Sequence, residues 1–464
     1  MKRIAILSRS PSQGKIRLVH QAALTALICA VAVAASAQTT PTEADKEATK
    51  AAKEAEKQAA KEAGTPQLAV ALIGPARELK FAEYTWFRFG AQVQAWFKAA
   101  QDRIKQPDGS DGSFAYDFYC RRCRFFVTGS VIKNVFFNIL FESSNTGKAD
   151  PVTGVKNSTI PQILDAYGQV KFVDWFWLSG GQILMPLTRN GLQPTTTYVS
   201  IDTANIATTP AAQGNTFVLR DLGFQANGFF LENHLEYRVG VFQGTRQGSI
   251  PTASSSHNGP RLVAMVSANF WDPETGYVNG GHYYGTKKVV GVMANFDYQT
   301  LRKAFPPAAG VDKNAYYGIS GAAFINYPLS GSPSPRGGDE IVGLLQFGYY
   351  DGGARMGATP NPGSYPAIPK QTNYLAELGY YNHAGRFSVF GKVEARKISD
   401  DYDLLAVRAP GNQLWMAGGV KYYVGPVNFM NFGLQYERVQ NYDAPSTQQK
   451  GTHNITFQMQ TLLY

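Results

Sequence analysis

Several things are scarce in this chain of 464 residues, and each scarcity excludes something. Charged residues are only 17% of it, where about a quarter is usual for soluble domains. Long apolar runs are missing too. After Ala35 no stretch approaches the ~18 residues that would suggest a membrane helix. Cysteine is limited to Cys29, Cys120 and Cys123, too few for a disulfide scaffold. Beyond residue 37 the histidines are His234, His257, His282, His383 and His453. None sits at metal-ligand spacing, so neither a metal nor any other cofactor is expected. A true excess of positive charge is also lacking. The formal +10 includes Lys2, Arg3, Arg9, Lys15 and Arg17, and without them 39 basic residues face 34 acidic ones. That balance is too mild and dispersed for nucleic acid. What is abundant is aromatic: 28 Phe, 25 Tyr and 6 Trp, beside 46 Gly. Such a composition excludes disorder for most of the chain.

The first 37 residues read as a secretory signal peptide. A basic start precedes the apolar stretch Ala22–Ala35 and the small residues Ala35-Ser36-Ala37. Gln38 is the expected mature start. Ile28 before Cys29 does not suit a lipoprotein. Residues 38–83 form a separate segment. Thr40, Pro41 and Glu43 make a helix start with a capping box, AAKEA occurs at 51–55 and 59–63, and Gly64 supplies a stop. The spacing predicts a helix over 40–64, about 35 Å long at 1.5 Å per residue. It has almost no apolar face beyond alanine, which suits a solvated periplasmic spacer. An alanine-seamed stalk contacting the cell wall is the alternative.

From residue 84 onward the period is two. Phe87, Phe89, Ala91, Val93, Ala95 and Phe97 share one face, against Arg88, Gln92, Gln94 and Lys98 on the other. The pattern recurs in Leu164–Phe172, in Leu222, Phe224 and Ala226, in Val290, Val292, Ala294 and Phe296, and in Met430, Phe432, Leu434 and Tyr436. Sixteen such segments start near 84, 116, 135, 162, 176, 220, 235, 260, 286, 314, 340, 371, 386, 412, 428 and 452. Their connections alternate between long (such as 188–219) and short (such as Lys133-Asn134), with 272–285 and 328–339 longer than the other short ones. Alternation of this kind marks a transmembrane barrel of the outer-membrane type. The reading over 84–464 is therefore an all-β, 16-stranded antiparallel β-barrel in the outer membrane of a Gram-negative bacterium, with lipid as its surroundings. An even strand count puts both ends on the periplasmic side, with the helix.

Cys120-Arg121-Arg122-Cys123 has redox-motif spacing without the βαβ context of such enzymes. In a regular strand, residues three apart lie on opposite faces about 10 Å apart, whereas a disulfide needs Cα atoms within about 7 Å. Free thiols are expected, or a bridge only if the strand ends early. The final Tyr464 is one residue out of step with the lipid face of its strand, which a bulge near Thr461–Leu463 would repair.

Gly181-Gln182-Ile183-Leu184-Met185-Pro186-Leu187 resembles a Gly-Gln-Phe-Lys-x-Pro-Phe signature of the phosphate-selective porin family, porins O and P. Arg220-Asp221-Leu222-Gly223, Gly228 and Tyr237-Arg238-Val239-Gly240-Val241-Phe242-Gln243-Gly244 are similar to a second block of that family, and Asp165-Ala166-Tyr167 and Arg121-Arg122-Cys123-Arg124 to two shorter ones. The resemblance covers about 85–464. It implies trimeric sixteen-stranded barrels that pass anions. The chain departs from the family at Leu184, where the signature has Lys, and in the long loop 188–219, whose charges are Arg189 and Asp202.

Parity places Arg88, Lys98, Arg122, Arg124, Lys171, Arg238, Arg261, Lys392, Arg396 and Lys421 in the lumen, against Glu142, Asp165, Asp221, Glu236, Asp297, Glu394 and Glu437. Inward charges of both signs are expected as structural rungs of any water-filled barrel. A surplus of cations, with Arg122 and Arg124 clustered, favours small anions. The expected function is passive diffusion of small hydrophilic solutes through a lumen narrowed by the loop that carries Arg189 and Asp202. A tether to the cell wall and a barrel hydrolase using Ser388 and His383 are the other readings. No catalytic residue is expected.

Overall fold

The computed structural model describes residues 78–150, 153–213, 219–245, 258–300, 315–352, 368–399, 411–425 and 429–463. The signal peptide and the 40–64 helix lie outside them. The strands are β1 (Glu78–Lys80), β2 (Trp86–Gln101), β3 (Phe114–Ile132), β4 (Val135–Thr146), β5 (Gln162–Val173), β6 (Phe176–Leu184), β7 (Arg220–Phe230), β8 (Leu235–Phe242) and β9 (Arg261–Asn269). They continue as β10 (Val289–Thr300), β11 (Ala315–Pro328), β12 (Glu340–Asp351), β13 (Gln371–Asn382), β14 (Phe387–Ile398), β15 (Gln413–Val424), β16 (Met430–Asn441) and β17 (Gly451–Leu463).

Each of β2–β17 pairs antiparallel with the next, and β17 returns to β2 through Phe457↔Phe97 and Leu463↔Ala91. The result is a closed barrel of sixteen strands. The short β1 is additional. It pairs Glu78↔Arg88 and Lys80↔Trp86 on the start of β2, taking over the edge that β17 leaves at Ala91. The seam edge of β2 is thereby covered at Trp86–Arg88.

The burial pattern is that of a soluble protein turned inside out. Leu222, Phe224, Val241 and Leu434 are exposed, Phe224 at 68%, while Gln94, Gln225, Gln458 and Gln460 are buried. Along most of the wall apolar residues point outward and polar ones inward, because the outside faces lipid and the inside faces water. The largest apolar cluster forms where a loop fills the lumen. Leu184, Met185, Leu187, Leu192, Ile206 and Leu219 pack with Met293, Phe324, Leu344 and Leu375 of the β10–β13 wall.

Connections are short at one end: 133–134, 174–175, 231–234 and 383–386. In the first, Asn134 has φ 63°, a left-handed value that Asn tolerates better than most residues. At that same end, 270–288 and 329–339 are longer, as expected from the sequence.

Three local expectations are corrected. Cys120 and Cys123 form a disulfide, with Cα atoms 6.4 Å apart. The strand does not end early. The pairing steps from Gln94↔Arg122 to Ala95↔Cys120, leaving Arg121 as an extra residue. This bulge restores both cysteines to one face and draws them together. Leu164, expected to face lipid, is buried at a second bulge, where Leu140 pairs with Asp165 and Phe141 with Ile163. Conversely, no bulge occurs at Thr461–Leu463. The ladder runs unbroken to Leu463, which faces out, with Leu462 buried. Tyr464 lies outside the described residues.

Candidate functional site: the lumen and its inward loop

The loop 185–219 begins at the end of β6, where Gly181 has φ +132° and a Cβ would meet the Ala166 carbonyl at 2.2 Å. Only glycine fits both demands. Pro186 then ends the strand, and the chain turns into the lumen in two short 3-10 segments, Asn190–Leu192 and Asn205–Gln213.

Inward-facing polar residues of the wall hold this loop by its backbone. Asn295 Nδ2 donates to the Pro186 carbonyl at 2.7 Å, and Ser320 Oγ to that of Leu187 at 2.7 Å. The Asn190 amide donates to Gln346 at 2.9 Å, that of Ser200 to Glu377 at 3.1 Å, and that of Ile206 to Glu394 at 3.1 Å. Lys421 Nζ donates to the Tyr198 carbonyl and Arg261 Nη2 to that of Pro210 at 2.9 Å. Buried loop backbone needs partners, and the polar and charged side chains of the lumen supply them.

On the opposite side a cavity of about 710 Å³ lies between the loop and the wall of β3–β5. Four arginines and three acids border it: Arg121, Arg122, Arg124 and Arg220, with Glu142, Asp165 and Asp202. Arg121 Nη2 lies 3.1 Å and Arg122 Nη2 2.6 Å from the two oxygens of Asp202. Arg124 pairs with Glu142 and donates to Thr195 Oγ1 at 2.9 Å. Arg220 Nε lies 3.2 Å from Asp165. Burial alone would raise the Asp202 carboxyl, but the Arg121 and Arg122 guanidiniums hold it well below the usual carboxylate range.

Of the ten cations assigned to the lumen from sequence, Arg122 and Arg124 border this cavity. Arg88 pairs with Glu78 of β1, and Lys171 with Asp174 of the following turn. Arg238 is buried with Glu236 and donates to the carbonyls of Gly276 and Tyr277. Arg261 is buried against Asp297, and Lys392 against Glu394. Arg396 lies over the Trp415 ring, and Lys98 is half-buried on the inner face of β2. In the loop, Arg189 is buried with Glu274, and Asp202 reaches the wall arginines. Ser388 Oγ shares a hydrogen bond with the Tyr423 hydroxyl, while the His383 ring packs against Tyr381.

Sequence parity missed Arg121, which the bulge sends inward, and Arg220, which opens β7. A signal for Arg220 existed. It stands in the block that resembles porins O and P, and its partner Asp165 belongs to the Asp-Ala-Tyr segment of the same resemblance. The neighbouring Asp221 accepts the amide of Gly244, the last residue of that block, at 2.7 Å. These motif residues are joints between strands.

A closed barrel with a lipid-facing apolar wall, a polar interior and a loop folded into the lumen defines an outer-membrane β-barrel of the porin-like class. Solved structures with a similar fold include the outer membrane channel DcaP of Acinetobacter baumannii (TM-score 0.49, 11% identity, covering 83% of this chain and 99% of that one). The OmpF complex with daunomycin of Salmonella typhi has a TM-score of 0.49 at 9% identity, covering 83% and 100%. OmpT of Vibrio cholerae has a TM-score of 0.46 at 9% identity, covering 83% and 100%. No protein-family profile matches the chain, and no curated protein matches it in sequence.

Proposed function

We propose that the chain is a porin through which small hydrophilic solutes diffuse passively along the β3–β5 side of the lumen, with a mild preference for anions. The observation that carries this reading is the cavity beside the inward loop. On β3 its lining runs from Arg121 to Thr128, about 20 Å of strand at ~3.3 Å per residue. At a strand tilt of about 40° that is about 15 Å along the membrane normal, more than half of the ~25 Å apolar band of such barrels.

The anion preference rests on how the pairs are layered. The Arg124 side chain is 13% exposed and its partner Glu142 4%; for Arg220 and Asp165 the values are 12% and 5%. Asp202 is the exception, 23% exposed between Arg121 at 22% and Arg122 at 5%. The preference is therefore mild: four guanidiniums line the cavity against three carboxylates, two of which lie behind their partners. Charge in a narrow passage acts on permeating ions more strongly than the same charge on an open surface. Phosphate and a three-barrel assembly are the finer readings that the resemblance implies. Phosphate belongs beside chloride among the permeants tested, and native mass spectrometry in detergent counts the barrels.

Single-channel recording across a salt gradient tests the proposal. A steady ohmic current whose reversal potential favours chloride over potassium is expected. In Arg122→Ala/Arg124→Ala the potential should move toward cations, less so in high salt, where screening falls to about 3 Å at 1 M. A folded barrel that carries no current refutes the pore. Unchanged ion preference in the folded double variant leaves these arginines as structural rungs.

A further inference from the structure

The turn 270–288 lies at the short-turn end of the barrel, yet it does not stay outside. Asp272 and Lys288 close its base, the Asp272 amide donating to the Lys288 carbonyl at 2.9 Å and the Lys288 amide to Asp272 Oδ2 at 2.7 Å. Beyond that base the chain climbs into the lumen. Glu274, Asn279, His282 and Tyr283 are all buried. There the turn meets the loop from beneath. The Asn279 amide donates to the Leu192 carbonyl at 3.0 Å, and the His282 amide to that of Thr197 at 2.8 Å. Arg189 of the loop grips Glu274 with both Nη atoms, at 2.6 and 2.8 Å, and the Gly280 carbonyl at 3.2 Å. The wall secures the turn as well. Glu340 accepts the amides of Tyr283 and Tyr284 at 3.0 and 2.8 Å, and Arg238 donates to the Tyr277 carbonyl at 2.8 Å.

We infer that the turn 270–288 is a second constriction element entering from the periplasmic end, and that the Arg189–Glu274 pair positions the inward loop on it. The inference rests on the porin reading above. Loop and turn together fill the β8–β15 side of the lumen and leave the passage on the β3–β5 side. Arg189 and Glu274 do not border the cavity. They are positioning residues, setting how far the loop stands from the arginine wall.

The test compares conductance and open-channel noise of the full chain with those of Arg189→Ala/Glu274→Ala. Both members are removed because a single deletion would leave a buried, unpaired charge. With the latch gone, the loop samples positions away from the turn, and a rise in conductance of about twofold or more, with frequent sub-states, is expected. A folded double variant with wild-type conductance and noise overturns the inference while leaving the porin reading intact. A wild-type barrel without current strikes the porin reading instead. The geometry is tested independently of current by Leu192→Cys/Asn279→Cys. An oxidised cross-link in the folded barrel supports a turn docked on the loop. Failure of that cross-link to form in a folded barrel overturns it, including where the double alanine variant does not assemble.

Discussion

Arg121 and Arg122 are sequence neighbours on one strand, yet both guanidiniums reach the same carboxylate, Asp202 of the inward loop, at 3.1 and 2.6 Å. Neighbours on a regular strand point to opposite faces. The bulge at Arg121 removes that alternation, and it is the same bulge that brings Cys120 to Cys123. One extra residue thus aims a second arginine at the loop.

Asp202→Asn removes the shared partner of two cations. The expected result is a shift of the reversal potential toward anions, with a stability loss of about 1–3 kcal/mol for the broken charged hydrogen bonds. Because the folded carboxyl lies below its ordinary value, its contribution is fully present above the unfolded Asp value of about 3.9 and is lost as pH falls below that. Ion preference attributable to this group should not change between pH 7 and pH 5. A change within that window that disappears in Asp202→Asn would contradict the assignment.

The disulfide makes a chemical prediction. Alkylation of the denatured, unreduced protein should label neither Cys120 nor Cys123, and labelling of both should follow reduction. The bridge closes a very short loop, so it constrains the unfolded chain little. Cys120→Ser/Cys123→Ser should assemble with a melting temperature close to wild type. Alkylation without reductant would show the thiols free.

The inside-out burial predicts opposite responses to one substitution. Val292 is exposed to lipid, whereas Asn138 borders the cavity. Val292→Arg places a charge in hydrocarbon at a cost of about 2–4 kcal/mol near the midplane. It should reduce the heat-resistant folded fraction on gels, while Asn138→Arg should leave it near wild type. Equal tolerance at the two sites would reverse the assignment of faces.

Residues 40–64 are read as an appendage rather than a part of the barrel. Their deletion should leave an assembled protein with unchanged conductance, while any anchorage to the cell wall, read as co-sedimentation with peptidoglycan, should be lost. A deletion variant with no folded barrel would make the segment part of the fold.

The faces of the strands were legible in the sequence because a wall one residue thick, with lipid outside and water inside, writes its two environments directly into alternate positions. Val292 and Asn295, or Phe224 and Gln225, could be assigned without any knowledge of strand pairing. The starts of sixteen segments followed from the same alternation, and the inward loop from its length. Arg121, the cysteines and Leu164 escaped because a bulge resets the period, and nothing in a single strand marks where its partner skips a residue.

The candidate passage was less legible for a different reason. Parity shows that Arg261, Lys421 and Arg124 face inward, but not what each of them meets there. Arg261 and Lys421 are spent on carbonyls of the loop, while Arg124 remains beside open space. Glu274 lay in a turn noted only for its length, and its role depends on Arg189, 85 residues away in sequence. The alternation along the chain determined the barrel and its two faces, since those depend on the local contrast between lipid and water. Only the tertiary structure decided where the lumen stays open, since that depends on how a loop from one end and a turn from the other meet inside it.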